Sequence, residues 1–266
     1  MQSPVDNQVY RRRGHAWWDE DEGEFSSLRF FVNHVRFAFF RRILEQEGTW
    51  GLPGTKILDV GCGGGFLSEE FARNGFSVRG VDPAPESVAA ARSHAREAGL
   101  AIEYLVAAGE NLPFDDQSFD LAACCDVLEH VNDVGRVIGE ISRVLKPGGL
   151  FVYDTVNRTF LSRIAVIKVM QEWPSTAFAG PNSHVWEKFI KPRELAELFR
   201  QNDLVNLETR GLSLGINPLA AWLYFRRRGR GEISFRELGR RLRFRESGDL
   251  RVSYMGCAVK PARRDL

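Results

Sequence analysis

Two periodicities divide the chain. Over 25–47, apolar residues return at helical intervals (Phe30, Phe31, Val35, Phe39, Phe40, Ile43, Leu44), which predicts an amphipathic helix. Gly51, Pro53 and Gly54 end it. The pattern then changes to short apolar runs of strand length: KILDVG (56–61), SVRGVD (77–82), IEYLVA (102–107), FDLAACCD (119–126) and GLFVYDTV (149–156). Helical patterns over 65–73, 85–98 and 133–145 lie between most of them, and DPAPES (82–87) and KPGG (146–149) mark turns. Near-continuous apolar strands alternating with amphipathic helices predict an α/β fold, a mainly parallel sheet covered on both faces.

Beyond Thr155 the pattern loosens. A helical stretch over 160–172 is closed by Pro174, a further helix covers 192–201, and LVNLETRG (204–211) and VSYMGCAVK (252–260) read as the last two strands. No internal repeat or low-complexity linker interrupts the chain. The expected organisation is one domain over 1–266: a helical cap (1–50), a glycine-loop half (51–156), and a second half (157–266) with insertions at 158–190 and 218–248.

Composition narrows the class. The 266 residues suffice for one large buried core. Lys and Arg number 36 against 35 Asp and Glu, so the overall charge gives no sign of a nucleic-acid partner. Cys62, Cys124, Cys125 and Cys257 form no CxxC pair or metal-knuckle spacing and read as small buried residues in a reducing compartment. No apolar run follows the basic N-terminal residues, and none approaches the roughly 20 residues needed to cross a bilayer. A cytoplasmic protein is the expectation.

The strongest chemical signal is Asp59-Val60-Gly61-Cys62-Gly63-Gly64-Gly65, which follows a predicted strand and opens a predicted helix. A dinucleotide fingerprint wants glycines at positions one, three and six; here they fall at one, three and five, and the sixth position is Phe66. Asp59 would repel a nearby phosphate but suits a ligand carrying a sulfonium and an ammonium. Asp82 ends the next strand, 21 positions after Gly61, at the spacing of a ribose-binding carboxylate. These features point to S-adenosylmethionine, with Asp59, Gly61, Gly63, Gly65 and Asp82 at its site.

Together ILDVGCGGG, GVD, VLEHV, LKPGG and the final strand resemble class I methyltransferases. More narrowly, WWDEDEGEF (17–25), Arg36, the loop after Asn157-Arg158, HVWEKFIKP (184–192), Asn217-Pro218 and VSYM (252–255) resemble the 3-demethylubiquinol 3-O-methyltransferase family of ubiquinone biosynthesis over nearly the whole length. The resemblance implies a Rossmann-like, doubly wound sheet of seven strands. It implies cofactor contacts at Arg36, Gly61, Asp82 and Cys125. AAGENLPF (107–114) is closer to the wider class I set, whose matching segment borders the adenine and implicates Gly109 and Glu110; Ala108 stands where an acid is often found.

Ligands of open α/β sheets lie beyond the carboxyl ends of the strands, so the loop from Asp126 should border the transferred methyl group. A phenol, with a pKa of about 10, needs help to lose its proton near neutrality. His130 is the natural general base, with Glu129 beside it. In the resembled family the matching acid, acid, histidine triplet is associated with a divalent cation such as Mg²⁺, which implies Asp126, Glu129 and His130 as ligands. The alternative for His130 is a packed loop residue, and His184 is a weaker second base candidate.

Two stretches keep two readings each. Leu161, Ile164, Ala165, Val169 and Trp173 can share a helical face, broadened by Val166 and Ile167, either covering the core or acting as an interfacial lid. AAWLYFRRRGR (220–230), followed by Arg236, Arg240, Arg241, Arg243 and Arg245, is either a solvated basic face or a patch attracted to anionic lipid at the inner face of a membrane. No aromatic-basic RNA motif accompanies it. The expected activity is O-methylation of a phenolic or catecholic small molecule such as a polyprenylated ubiquinone precursor. The alternatives are another small acceptor, or an inactive S-adenosylmethionine-binding module. Oligomeric state is not legible.

Overall fold

The computed structural model describes residues 5–19 and 25–262. Five strands, β1 (Lys56–Val60), β2 (Ser77–Asp82), β3 (Glu103–Val106), β4 (Phe119–Cys125) and β5 (Leu145–Val156), run parallel. They are joined by β6 (Val205–Ser213), β7 (Arg245–Ser247) and β8 (Ser253–Val259) in the order β3-β2-β1-β4-β5-β8-β6-β7. β8 lies antiparallel between β5 and β6. The expected sheet of seven becomes eight because β7 pairs with the end of β6 at Gly211–Ser213. Three residues are too short to show an alternation of their own.

The helices are α1 (Gln8–Arg12), α2 (Phe25–Ser27), α3 (Asn33–Gln46), α4 (Phe66–Arg73), α5 (Pro85–Glu97), α6 (Val134–Val144), α7 (Phe160–Ser162), α8 (Pro192–Gln201), α9 (Pro218–Gly229) and α10 (Phe235–Leu242). Their starts follow local chemistry. Proline occupies the first turn of α5, α8 and α9, where its missing N–H costs nothing. Asp133, Asn217 and Ser234 cap α6, α9 and α10 by accepting the N–H of Arg136, Ala220 and Glu237.

Each sheet face has its own core. Val137, Ile138, Ile141, Leu195 and Phe199 of α6 and α8 pack on one side; Phe39, Phe40, Ile43, Leu44, Leu67 and Phe71 of α3 and α4 pack on the other. Burying both faces explains why the strands read as apolar runs rather than alternations. A separate cluster joins Phe31 to Phe225, Phe235, Leu238 and Leu242 of α9 and α10, so the arginine-rich insertion has an apolar underside.

The stretch after α7 departs from expectation. Arg163–Glu172 is a π-helix, and Leu28–Val32 before α3 is another. Wider turns move side chains off the 3.6-residue spacing. Val166 and Ile167 are therefore the buried residues, packed with Val156 and Phe189, while Leu161 and Trp173 of the expected face are exposed. The acidic run of 20–24 lies outside the described residues. Among those described, no helix is long and apolar enough to cross a membrane.

Phe151 of β5 is fully buried, pairs with Ala122 and Ala258, and meets the rings of Tyr153 and Phe199. Phe151→Ala is expected to lower unfolding free energy by about 3–5 kcal/mol in urea titration. A loss below about 1 kcal/mol would mean that this layer repacks freely.

Candidate active site

The chain runs outward from β1 to β3 and returns to the other side of β1 with β4. The connections after β1 and β4 therefore diverge and leave a crevice at their carboxyl ends, the usual ligand position in such sheets. The glycine loop and the 126–130 loop meet there. Gly61 has φ +74°, and a Cβ on it would lie 2.2 Å from Val127 Cγ2. Only glycine satisfies both the backbone and the contact.

Asp82 ties the loop to the next helix: its Oδ2 accepts the Gly63 N–H at 3.0 Å and its Oδ1 the Ala84 N–H at 2.8 Å. Burial pushes Asp82 up to about 6 despite these two backbone donors. Asp59, at 2 % exposure, accepts from Ser68 Oγ at 2.6 Å. Burial raises it to about 6 as well, against the pull of Ser68 and Arg36. Gly65 stands in the left-handed region at the start of α4.

An N-terminal aromatic group covers the loop. A Cβ on Gly63 (φ +50°) would lie 2.5 Å from the Trp17 ring. Trp17 Nε1 donates to Ser87 Oγ at 2.9 Å, and Trp18 Nε1 donates to the Gly64 carbonyl at 2.8 Å. Phe66, where a dinucleotide fingerprint would carry its third glycine, sets its edge against both tryptophans.

Arg36 of α3 reaches the end of β4. Its Nη1 donates to Asp126 Oδ2 at 2.6 Å and Asp154 Oδ2 at 3.0 Å, and its Nε to Asn33 Oδ1 at 3.2 Å. Burial opposes its charge, but Asp154 and Asp126 outweigh that and hold it above the usual arginine value. The Asp154 Oδ1 accepts the Asp126 N–H at 2.8 Å, and Asp126 has φ +53°. Cys125, partly buried, is the residue before this turn and pairs with Asp154 across the sheet.

The turn carries Glu129 and His130 inward. Glu129 Oε2 accepts from Thr155 Oγ1 at 2.8 Å, while its Oε1 is buried with no partner. Burial, then the neighbouring Asp126, pushes Glu129 up to about 8. Burial pushes His130 well below its ordinary value, and its Nδ1 is buried and unpartnered. Asn7 Nδ2 donates to the His130 carbonyl at 3.0 Å, and the Tyr10 ring meets the imidazole edge-on at 6.0 Å.

Not every expected residue joins this group. Glu110 is turned to the start of α6, where its Oε1 accepts the Asn132 N–H at 3.2 Å; Gly109 is buried close to Val60. Asp126, Glu129 and His130 are neighbours in sequence but do not converge as a cation donor set, and no cluster of three or more such ligands occurs among the described residues. Asp126 Oδ2 is engaged by Arg36, and the Glu129 Oε2 by Thr155. Sequence reasoning passed over Asp154, Thr155, Ser87, Asn7 and Tyr10. The acid inside the apolar run FVYDTV was the one visible signal among them.

Comparison with known proteins places this arrangement. The Methyltransferase domain family matches residues 58–153, from β1 to β5. Ubiquinone biosynthesis O-methyltransferase of Idiomarina loihiensis is 40% identical over 210 residues, 78% of this chain and 81% of the relative. The protein of the same name from Hahella chejuensis is 37% identical over 231 residues, 82% of this chain and 89% of the relative. The chain belongs to the ubiquinone biosynthesis O-methyltransferase family. It is an S-adenosylmethionine-dependent O-methyltransferase. The fold alone is shared with a solved putative sarcosine dimethylglycine methyltransferase from Galdieria sulphuraria, at TM-score 0.61 and 18% identity, covering 96% of this chain and 99% of that one. The glycine loop suits the cofactor in its charge: buried carboxylates with raised pKa values fit a cationic ligand, and Val127 and Trp17 cover the loop so closely that only glycine backbone is accommodated.

Glu129 sets a pH dependence. Its folded-state pKa lies above the unfolded value, so its contribution to stability is complete below about 4 and is lost as pH rises through about 8. Glu129→Gln should therefore gain on the parent enzyme in thermal melts between pH 5 and 8, by at most about 1.4 kcal/mol per pH unit, then hold a constant lead. A gap independent of pH would show that Glu129 is ionised throughout.

Proposed function

We propose that this enzyme methylates a hydroxyl of a phenolic or catecholic ubiquinone precursor carrying a polyprenyl tail, with His130 as general base. The observation that carries the reading is the buried, unpartnered Nδ1 of His130 on the loop that contacts the glycine loop at the crevice. Bound S-adenosylmethionine supplies a methyl group on a sulfonium: the O–C bond forms as the C–S bond breaks, and the electron pair leaves with sulfur. Burial keeps the imidazole neutral, so it can accept the hydroxyl proton. Glu129, held protonated near neutrality, adds no negative charge beside the forming phenolate and has Oε1 available for a hydrogen bond. Asp82 faces the ribose hydroxyls. Arg36, Asp59, Gly61, Gly63, Gly65 and Cys125 line the remainder of the cofactor's bed, with Gly109 towards its adenine end, while Glu110 is engaged at the start of α6. The whole chain is read as one methyltransferase domain, with acceptor choice in its late insertions.

Asp126, Glu129 and His130 do not present a common donor set for the divalent cation of the resembled family, and no such set occurs among the described residues. The relatives' names favour a ubiquinone precursor over another small acceptor. His130→Ala should lower turnover by about 10²–10⁴-fold, with S-adenosylhomocysteine affinity unchanged in calorimetry. An unaltered rate would remove His130 as the base.

A prenylated acceptor resides in lipid, which gives the α9 surface a role. Leu219 and Leu223 are exposed, next to Arg226, Arg227, Arg228 and Arg230. Arg227 and Arg230 pair with Glu232, and Arg226 stacks on Trp222 at 4.8 Å. This mixture suits reversible, peripheral attachment to an anionic bilayer from the cytoplasmic side, each basic residue adding about 1 kcal/mol. The enzyme should cosediment with anionic but not neutral liposomes. Binding should weaken above physiological salt and disappear when the four arginines become glutamate. Indifference to anionic liposomes at low salt would leave α9 a solvated basic face.

A further inference from the structure

The insertion between β5 and α8 brings a second histidine to the first. The His184 ring centroid lies 5.1 Å from that of His130, with the planes inclined at 59°. Its Nδ1, like that of His130, is buried without a hydrogen-bond partner. On its other side it meets Phe189 at 6.2 Å. Two imidazoles from separate parts of the chain thus each withdraw a polar nitrogen from water without replacing its hydrogen bond, which is costly unless a ligand completes it.

The backbone of His184 is held in place. Gln171, in the π-helix, accepts the His184 N–H through Oε1 at 2.8 Å and donates from Nε2 to the His184 carbonyl at 3.3 Å. One side-chain amide occupies both backbone groups of a loop residue, as a neighbouring strand would. Asp6 adds a further tie, its N–H donating to the Asn182 carbonyl at 2.9 Å. Burial lowers His184 to about 4, against the opposing charge of Asp126, so the ring is neutral at working pH and offers one donor and one acceptor.

The two rings differ in origin. His130 stands on the loop from the β4 end, where the methyl group arrives. His184 comes from the acceptor-side insertion and is suited to a group beside the reacting oxygen. We propose that His184 hydrogen-bonds the acceptor hydroxyl adjacent to the one being methylated, so that the paired histidines select a catechol over a monophenol. This rests on the assignment of His130 as the base. The transfer itself is unchanged: the reacting hydroxyl gives its proton to His130, its oxygen takes the methyl carbon, and sulfur keeps the electron pair. His184 neither gains nor loses a proton. It acts as a specificity residue, and Gln171 as its positioning residue.

The test compares kcat/KM for a soluble catechol and its matching monophenol. In the wild-type enzyme the catechol is favoured. His184→Phe keeps the ring volume and should cut that preference by about 10–100-fold, entirely through the catechol. Monophenol turnover and S-adenosylhomocysteine affinity should remain within about twofold of wild type. His184→Gln, which restores a hydrogen-bonding group, should retain most of the preference, and Gln171→Ala should lose part of it. Equal losses on both acceptors, or an unchanged ratio, would overturn the inference while leaving the methylation chemistry intact. A wild-type enzyme that binds S-adenosylhomocysteine but methylates neither phenol would overturn the parent reading and this one together.

Discussion

The site is organised around one buried guanidinium. Arg36 comes from α3, outside the sheet, and is 4 % exposed between Asp126 and Asp154. Withdrawing such a charge from water is expensive, and removing one partner of the group would leave another charge buried alone. The arrangement therefore tolerates little displacement. Asp154 receives Arg36 on one oxygen and the Asp126 N–H on the other, fixing the left-handed turn at the end of β4. That turn sets Val127 against Gly61 and directs Glu129 and His130 inward. The glycine loop, the 126–130 loop and α3 are thus registered through a single cation.

Around it the enzyme collects buried carboxylates. Asp59, Asp82, Asp154 and Glu129 are all shifted upward by burial. Burial opposes the ionised form of each, and a cation brought among them would favour it. Coulombic attraction to a cation grows as the dielectric falls. Trp17, Trp18 and Phe66 keep water from the glycine loop and sharpen that attraction. The aromatic cap and the acidic floor thus act together.

The parallel half of the fold was legible because its strands are buried on both faces and its helices carry ordinary start signals, such as Pro85 and Asp133. Gly61, Asp82 and Arg36 were singled out through motif order and resemblance, and what the structure adds is their partners, Val127, Gly63 and Asp126. Asp154 was harder to see, since a lone acid in FVYDTV gains its meaning only from Arg36, 118 positions away. The roles of Trp17 and Tyr10 depend on how the N-terminal segment folds back across the loop. In the 161–173 stretch Val166 and Ile167, which only broaden the apolar face in the sequence, are the buried apolar residues, since a π-helix leaves no distinct trace in composition. β7 went unseen because its partner, not its own sequence, makes it a strand. The cation triplet was implied by the resemblance alone, whereas side-chain direction decides coordination, and Asp126 Oδ2 is taken by Arg36 and Glu129 Oε2 by Thr155.

The position of β8 bears on synthesis. β1 through β5 can pair in the order in which they are made, but β6 finds only the short β7 as a partner, and is not joined to β5, until Ser253–Val259 emerges. Throughout translation of the arginine-rich segment, the open side of β5 and the whole of β6 present unpaired backbone groups, a condition that invites intermolecular pairing. Charge near an open edge disfavours such pairing, and Arg226, Arg227, Arg228 and Arg230 are translated within that interval.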